Sequence, residues 1–216
     1  MQEILSNIST ALQSGLAKPV KEQVEQALAE GIPAKDILEN GLLHGMDIIA
    51  VKFSNNEVYV PEVLIAARAM NAGMALLKPY LAESGVQAVG KAIVGTVKGD
   101  LHDIGKNLVR MMLEGKGIEV VDLGVDVSPE MFIEAWRTER PTIVALSALL
   151  TTTMGEMKNI VNAFIEEGVR KDVVIMVGGA PVTDSYRESV GADIYASDAA
   201  TAAEAAKQAI LARKGA

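Results

Sequence analysis

Over the first 85 or so positions, apolar residues recur at spacings of three and four, as in Val20, Val24, Ala27 and Leu28 and again in Ile37, Leu38 and Leu42. That is the period of helices with one buried stripe. The breaks fall at Gly15, Lys18-Pro19, Gly31-Ile32-Pro33, Ser54-Asn55-Asn56 and Val60-Pro61. Pro19, Pro33 and Pro61 sit just inside helix starts, where a missing N–H costs nothing. The spacing predicts four helices, roughly 2–14, 19–30, 33–53 and 61–83, and the short connections predict a four-helix bundle.

After Ala82-Glu83-Ser84-Gly85 the period changes. Continuous β-branched and apolar runs occupy Lys91–Val97, Ile118–Leu123, Thr142–Ser147, Val173–Val177 and Asp193–Tyr195. Between them lie stretches of helical spacing such as Ile104–Glu114, Pro129–Thr138, Thr153–Glu167 and Ala199–Leu211. Strands buried on both faces and joined by helical crossovers make a parallel sheet. The pattern predicts an α + α/β chain. A helical domain covers 1–85, and a flavodoxin- or Rossmann-like domain with five parallel strands in the order 2-1-3-4-5 covers 90–216. Ligands of such sheets bind beyond the carboxyl ends of the strands where the order reverses, here between strands 1 and 3. The segments to inspect are Val97–Gly105, Ser147–Thr153 and Gly178-Gly179.

Composition narrows the chemistry. Lys+Arg is 20 against Asp+Glu 28, a net charge of −8 with no basic run, which argues against nucleic acid or an anionic membrane surface as partner. There is no cysteine, so disulfides, thiolate metal sites and Cys nucleophiles are excluded. No apolar stretch reaches about 18 residues, so no segment is expected to span a bilayer, and MQEILSNIST lacks the basic and apolar regions of a signal peptide. The expectation is a cytoplasmic protein without membrane contact.

The first of the three segments, with its flanks, runs Gly95-Thr-Val-Lys-Gly-Asp-Leu-His-Asp-Ile-Gly-Lys-Asn-Leu-Val109. It is no phosphate loop: the glycines at 99 and 105 are too far apart, Lys106 is followed by Asn107, and Asp100 and Asp103 would repel a phosphate. His102 is one of two histidines in the chain. Asp100, two residues earlier, can accept from Nδ1–H, fix the tautomer and leave Nε2 as a metal donor. One imidazole cannot hold zinc, which wants three or four protein ligands; the arrangement makes sense if a macrocycle supplies the rest. The residues equally admit a plainer reading, in which Asp103 caps the helix at Ile104 and His102 is a solvated loop residue.

Asp100-Leu-His102-Asp-Ile-Gly105 resembles the D-x-H-x-x-G signature of cobalamin-binding domains. Ser147-Ala-Leu149 is similar to that family's S-x-L after strand 3, and Gly178-Gly179 to its paired glycines after strand 4. The longer match over 95–107, together with the helical Phe53–Met70, resembles cobalamin-dependent methionine synthase and the stand-alone corrinoid proteins of methylamine, methanol and methoxyaromatic methyltransferase systems. The resemblance covers essentially the whole chain.

It implies that a corrinoid is bound with its lower base displaced into a slot and cobalt ligated by His102. Asp100 and Thr153 would extend a proton relay; methionine synthase has serine at the place of Thr153. The resemblance further assigns Gly99, Leu101, Asp103, Ile104 and Gly105 to cofactor binding, with Gly105 letting the nucleotide tail pass. Ser147 and Thr151 would bond the base, Leu149 would pack on it, and Gly178 and Gly179 would leave room for the tail. The helical half would cover the upper face and swing about the linker at 83–90. His44, Met46, Met70, Met74 and Trp136 are expected to serve packing or surface rather than the cofactor.

The implied function is a methyl carrier on cobalt, not turning over alone. Its partners would be a substrate-specific methyltransferase, an acceptor methyltransferase (coenzyme M or tetrahydrofolate) and a reductive activation protein. A mutase subunit is disfavoured by the helical cap and the missing substrate barrel, and a corrinoid sensor by the absence of a basic helix-turn-helix segment. A receiver domain is disfavoured by Ser147 and Ser197, where a phospho-acceptor Asp and a Lys are needed.

Overall fold

The computed structural model describes residues 2–215. The chain divides into two compact units, one running up to Ala88 and including Gly115–Gly117, the other formed by Val89–Glu114 and Ile118–Ala216.

The first unit is helical: α1 (Gln2–Gln13), α2 (Ala17–Ala29), α3 (Ala34–Asp36), α4 (His44–Ser54) and α5 (Val60–Glu83). Between α3 and α4 the helix continues through a π-helical stretch, Ile37–Leu43. The third predicted helix is therefore a single rod with a widened middle, a detail that apolar period does not report because a seven-residue π-helical stretch is too short to move the stripe off its face. The rod packs closely on α1, since a β-carbon at Gly45 would come within 3.2 Å of the Ser9 backbone. Ile8, Leu12, Val20, Val24, Ile37, Leu42, Met46, Ile49, Met70 and Leu77 fill the core. Met46 and Met70 are thus packing residues, Met74 is half-buried, and His44 is on the surface.

One expectation needs correcting. By length and composition Val60–Glu83 is apolar enough to cross a membrane. Its alanines raise the mean hydropathy without forming a continuous apolar run. The stripe Val63, Ala66, Ala67, Met70, Gly73, Leu77 and Leu81 is buried within the helical unit.

The second unit carries β1 (Gly90–Thr96), α6 (Ile104–Gly115), β2 (Ile118–Asp122), α7 (Pro129–Glu139), β3 (Ile143–Ser147), α8 (Gly155–Glu166), β4 (Val174–Gly178), α9 (Asp184–Val190), β5 (Ile194–Tyr195) and α10 (Ala199–Lys214). The strands form one parallel sheet in the order β2-β1-β3-β4-β5. β1 and β4 are buried on both faces, as their unbroken apolar runs require. Under the sheet, Phe132, Trp136, Met157, Ile160 and Phe164 from α7 and α8 meet Ile93, Val144, Leu146 and Ile175. Trp136 and Phe164 pack edge to face with centroids 6.2 Å apart, so Trp136 anchors this layer.

The seven-residue α9 is absent from the periodicity reading because only Tyr186 and Val190 mark a face in DSYRESV. Its start is set by Thr183, whose hydroxyl accepts from the Tyr186 N–H. Register is what builds the site. Thr96 pairs with Ser147, and Ser147 with Gly178, so the last residues of β1, β3 and β4 stand side by side at the carboxyl edge.

Candidate functional site

The loop after β1 rises from that edge at the β1/β3 switch point, and Asp100 turns inward from it. Its carboxylate is fully buried (0% exposed). On one side the His102 Nδ1–H donates to Oδ1 at 2.7 Å and the His102 backbone N–H at 3.1 Å. On the other side Oδ2 accepts from the N–H groups of Leu149 (2.8 Å) and Leu150 (3.2 Å) and from the Thr153 hydroxyl (2.8 Å). Burial alone opposes the charge. The bonds from the His102 ring, the Leu149 and His102 N–H groups and Thr153 outweigh it, and the carboxyl is held well below the usual carboxylate range.

An ionised carboxylate only accepts, so the proton at the 2.7 Å contact belongs to Nδ1. Nε2 is then the basic nitrogen, across a ring that is half exposed. This is the tautomer a metal ligand needs, fixed by a partner behind it. The backbone of the loop is held as well: the Thr96 hydroxyl donates to the His102 carbonyl at 2.9 Å.

The structure thus brings Asp100, His102, Leu149 and Thr153 together. Thr153 lies in the turn before α8 rather than inside the helix. Its hydroxyl reaches the Leu150 carbonyl (2.9 Å) as well as Asp100, so it is not a helix cap. Asp103 makes its side-chain bond with Asn107 one turn on. Leu101 and Ile104 are exposed (72% and 75%), and with the partly exposed Leu149 and Leu150 they give the edge around His102 an apolar rim. Ser147 and Gly178 stand next to each other at the strand ends. Thr151 is exposed in the β3–α8 loop and is not joined to Asp100.

The glycines separate into two kinds. At Gly105 and Gly178 a β-carbon would meet no protein atom within 4 Å, so their lack of a side chain leaves open space at the edge. At Gly179, with φ +131°, a β-carbon would lie 1.9 Å from the Ala148 carbonyl oxygen. Gly179 is therefore demanded by the protein's own backbone, a reason for glycine that holds with or without a ligand at this edge.

Sequence reasoning missed the two backbone donors, Leu149 and Leu150 N–H, which carry no side-chain signal. It also missed Thr96, although a hydroxyl at the end of an apolar strand was visible.

A macrocyclic cofactor fits this donor set. Among the described residues no group of three His, Cys, Asp or Glu could hold a metal ion. One oriented imidazole stands in an apolar rim beside the open positions of Gly105 and Gly178.

Comparison with known proteins agrees. Models of the B12 binding domain match residues 90–207 and residues 4–78. The dimethylamine corrinoid protein 3 of Methanosarcina acetivorans is 38% identical over 211 residues, covering 98% of this chain and 99% of its own. The trimethylamine corrinoid protein of Methanosarcina barkeri is 39% identical, with 97% of each covered. A crystal structure of the methanol:cobalamin methyltransferase complex MtaBC from Methanosarcina barkeri superposes with a TM-score of 0.87 at 29% identity, covering 97% of this chain and 80% of that one. The chain belongs to the family of corrinoid proteins built on B12 binding domains.

Proposed function

We propose that this protein is a corrinoid methyl carrier of a methylamine-type methyltransferase system, with His102 as the protein's ligand to cobalt. The observation that carries the reading is the buried carboxylate behind His102: five donors converge on Asp100 and one of them is the imidazole Nδ1–H. The names of relatives similar over their whole length, dimethylamine and trimethylamine corrinoid proteins, support the substrate class.

When bound, the corrinoid's cobalt supplies the chemistry, accepting a methyl group from one partner's substrate and giving it to another acceptor. The chain's own residues prepare the lower side. Asp100 keeps the Nδ1 proton in place and the Nε2 lone pair available. The 2.7 Å contact from Nδ1–H to the carboxylate also fixes the plane of the imidazole, so the direction in which Nε2 points is set by the protein. Thr153, through Oδ2, holds the carboxylate from behind. Leu101, Ile104 and Leu149 offer apolar surface to a large ring, Ser147 a hydroxyl to its buried base, and Gly105 and Gly178 passage for its tail. The partners are a substrate-specific methyltransferase, an acceptor methyltransferase and a reductive activation protein.

Reconstitution with hydroxocobalamin tests this. The wild-type protein is expected to retain the cofactor after desalting, and in the cobalt(II) state to show the electron paramagnetic resonance splitting of one axial nitrogen. His102→Ala is expected to lose that splitting and shift the absorption bands. A colourless protein, or a variant identical to wild type in every band, overturns the assignment.

A further inference from the structure

The segment after β2 lies alongside the His102 loop and is bonded to it step by step. Thr96 N–H donates to the Gly124 carbonyl (3.0 Å), Val127 N–H to the Thr96 carbonyl (2.9 Å), and Val97 and Val127 form a parallel bridge. Between these contacts sits Asp126, in the left-handed region with φ +56°. Its backbone N–H donates to the Asp100 carbonyl at 3.0 Å. Its carboxylate accepts from the Gly99 N–H at 2.7 Å. Gly99 is itself left-handed, with φ +79°.

Asp126 therefore grips both peptide groups around the Gly99–Asp100 junction, one with its main chain and one with its side chain. That junction sets the direction in which the Asp100 side chain leaves the loop. A non-glycine residue keeps a left-handed backbone only where its surroundings hold it, and Asp and Asn are the side chains that tolerate it best.

We propose that Asp126 is a positioning residue for His102: it clamps the Gly99–Asp100 turn so that the Asp100 carboxylate meets the imidazole from behind. The proposal rests on the reading of His102 as a cobalt ligand. Asp126 touches no reacting group; it acts through Asp100.

Three variants separate its two features. Asp126→Asn keeps both the left-handed backbone and an acceptor oxygen. Asp126→Gly keeps the backbone but loses the acceptor, and Asp126→Ala loses both. In the unloaded protein, Gly99 amide hydrogen exchange is expected to accelerate about tenfold in the Gly and Ala variants, the factor of one net hydrogen bond, and to stay unchanged in the Asn variant. Once loaded with hydroxocobalamin and reduced to cobalt(II), the Gly variant is expected to show a smaller fraction of nitrogen-split signal than wild type, with Asn restoring it. Equal Gly99 exchange in the Gly variant and wild type overturns the clamp, as does failure of Asn to rescue. If wild type is nitrogen-split and the Gly variant is split to the same extent, the clamp is refuted while the ligand assignment stands. If wild type lacks the splitting, the ligand assignment fails and the proposal falls with it.

Discussion

Replacing Asp100 by Asn changes one atom in a buried site and should invert the chemistry of the histidine beside it. The wild-type carboxylate faces donors on both sides, two from His102 on Oδ1 and three from Leu149, Leu150 and Thr153 on Oδ2. An amide accepts on only one side. Turning its oxygen toward the three donors leaves its NH2 facing two; the opposite choice leaves it facing three, two of which are main-chain N–H groups that cannot change. The first orientation wins. His102 then relieves its contact by moving the proton from Nδ1 to Nε2, so that Nδ1 accepts from the amide. The His102 main-chain N–H has no such escape. The cost is one charge-assisted hydrogen bond, about 1.5–3 kcal/mol, plus part of the penalty of an unsatisfied N–H, about 1 kcal/mol. We expect Asp100→Asn to lose about 3 kcal/mol in urea unfolding.

In nitrogen-detected NMR of the unloaded protein, the His102 proton should appear on Nε2, and cobalamin bound by the variant should lack the axial nitrogen. Acid adds an independent check. The Asp100 carboxyl is lower in the folded protein than the ordinary 3.8, so its stabilisation is present above about pH 4 and is lost as pH falls toward the folded value. The Asn variant should lose that share of the acid dependence. A variant that keeps the proton on Nδ1, or unfolds with wild-type stability, would refute the reasoning.

Two further outcomes follow from the same geometry. Gly179→Ala should destabilise the protein by about 3 kcal/mol with or without corrinoid, because the new β-carbon collides with the Ala148 carbonyl; a loss seen only in the loaded protein would point to the cofactor instead. The Lys106 ammonium, nearly buried, lies 2.6 Å from both Asp122 oxygens and 2.9 Å from the Asn107 side-chain oxygen, tying α6 to the end of β2. Asp122→Ala strands that charge and should cost about 3 kcal/mol, whereas Lys106→Met leaves a carboxylate with some access to water and should cost about 1 kcal/mol. Equal losses in denaturant titrations would contradict this asymmetry.

Much of the architecture was legible because it is written in local periods. The runs from Lys91 to Val97 and Val173 to Val177 are solid because both faces are covered, and the stripe through Val20, Val24 and Ala27 is spaced by helix turns. The short α9 and the π-helical stretch at Ile37–Leu43 were not legible: seven residues with two apolar marks carry too little period, and a widened turn keeps the same stripe. Asp100 and His102 stood out from their spacing and from the scarcity of histidine.

What the chain alone determined was thus the order of elements, the sheet edge where the loops after β1, β3 and β4 gather, and the pairing of Asp100 with His102 there. Only the folded molecule decided what lies behind them. The Leu149 and Leu150 N–H groups and Asp126 meet the His102 loop because parallel register sets the ends of β1 and β3 together and lays the segment after β2 alongside. Main-chain donors have no residue identity, and contacts made across strands have no period, so neither leaves a trace in a linear sequence.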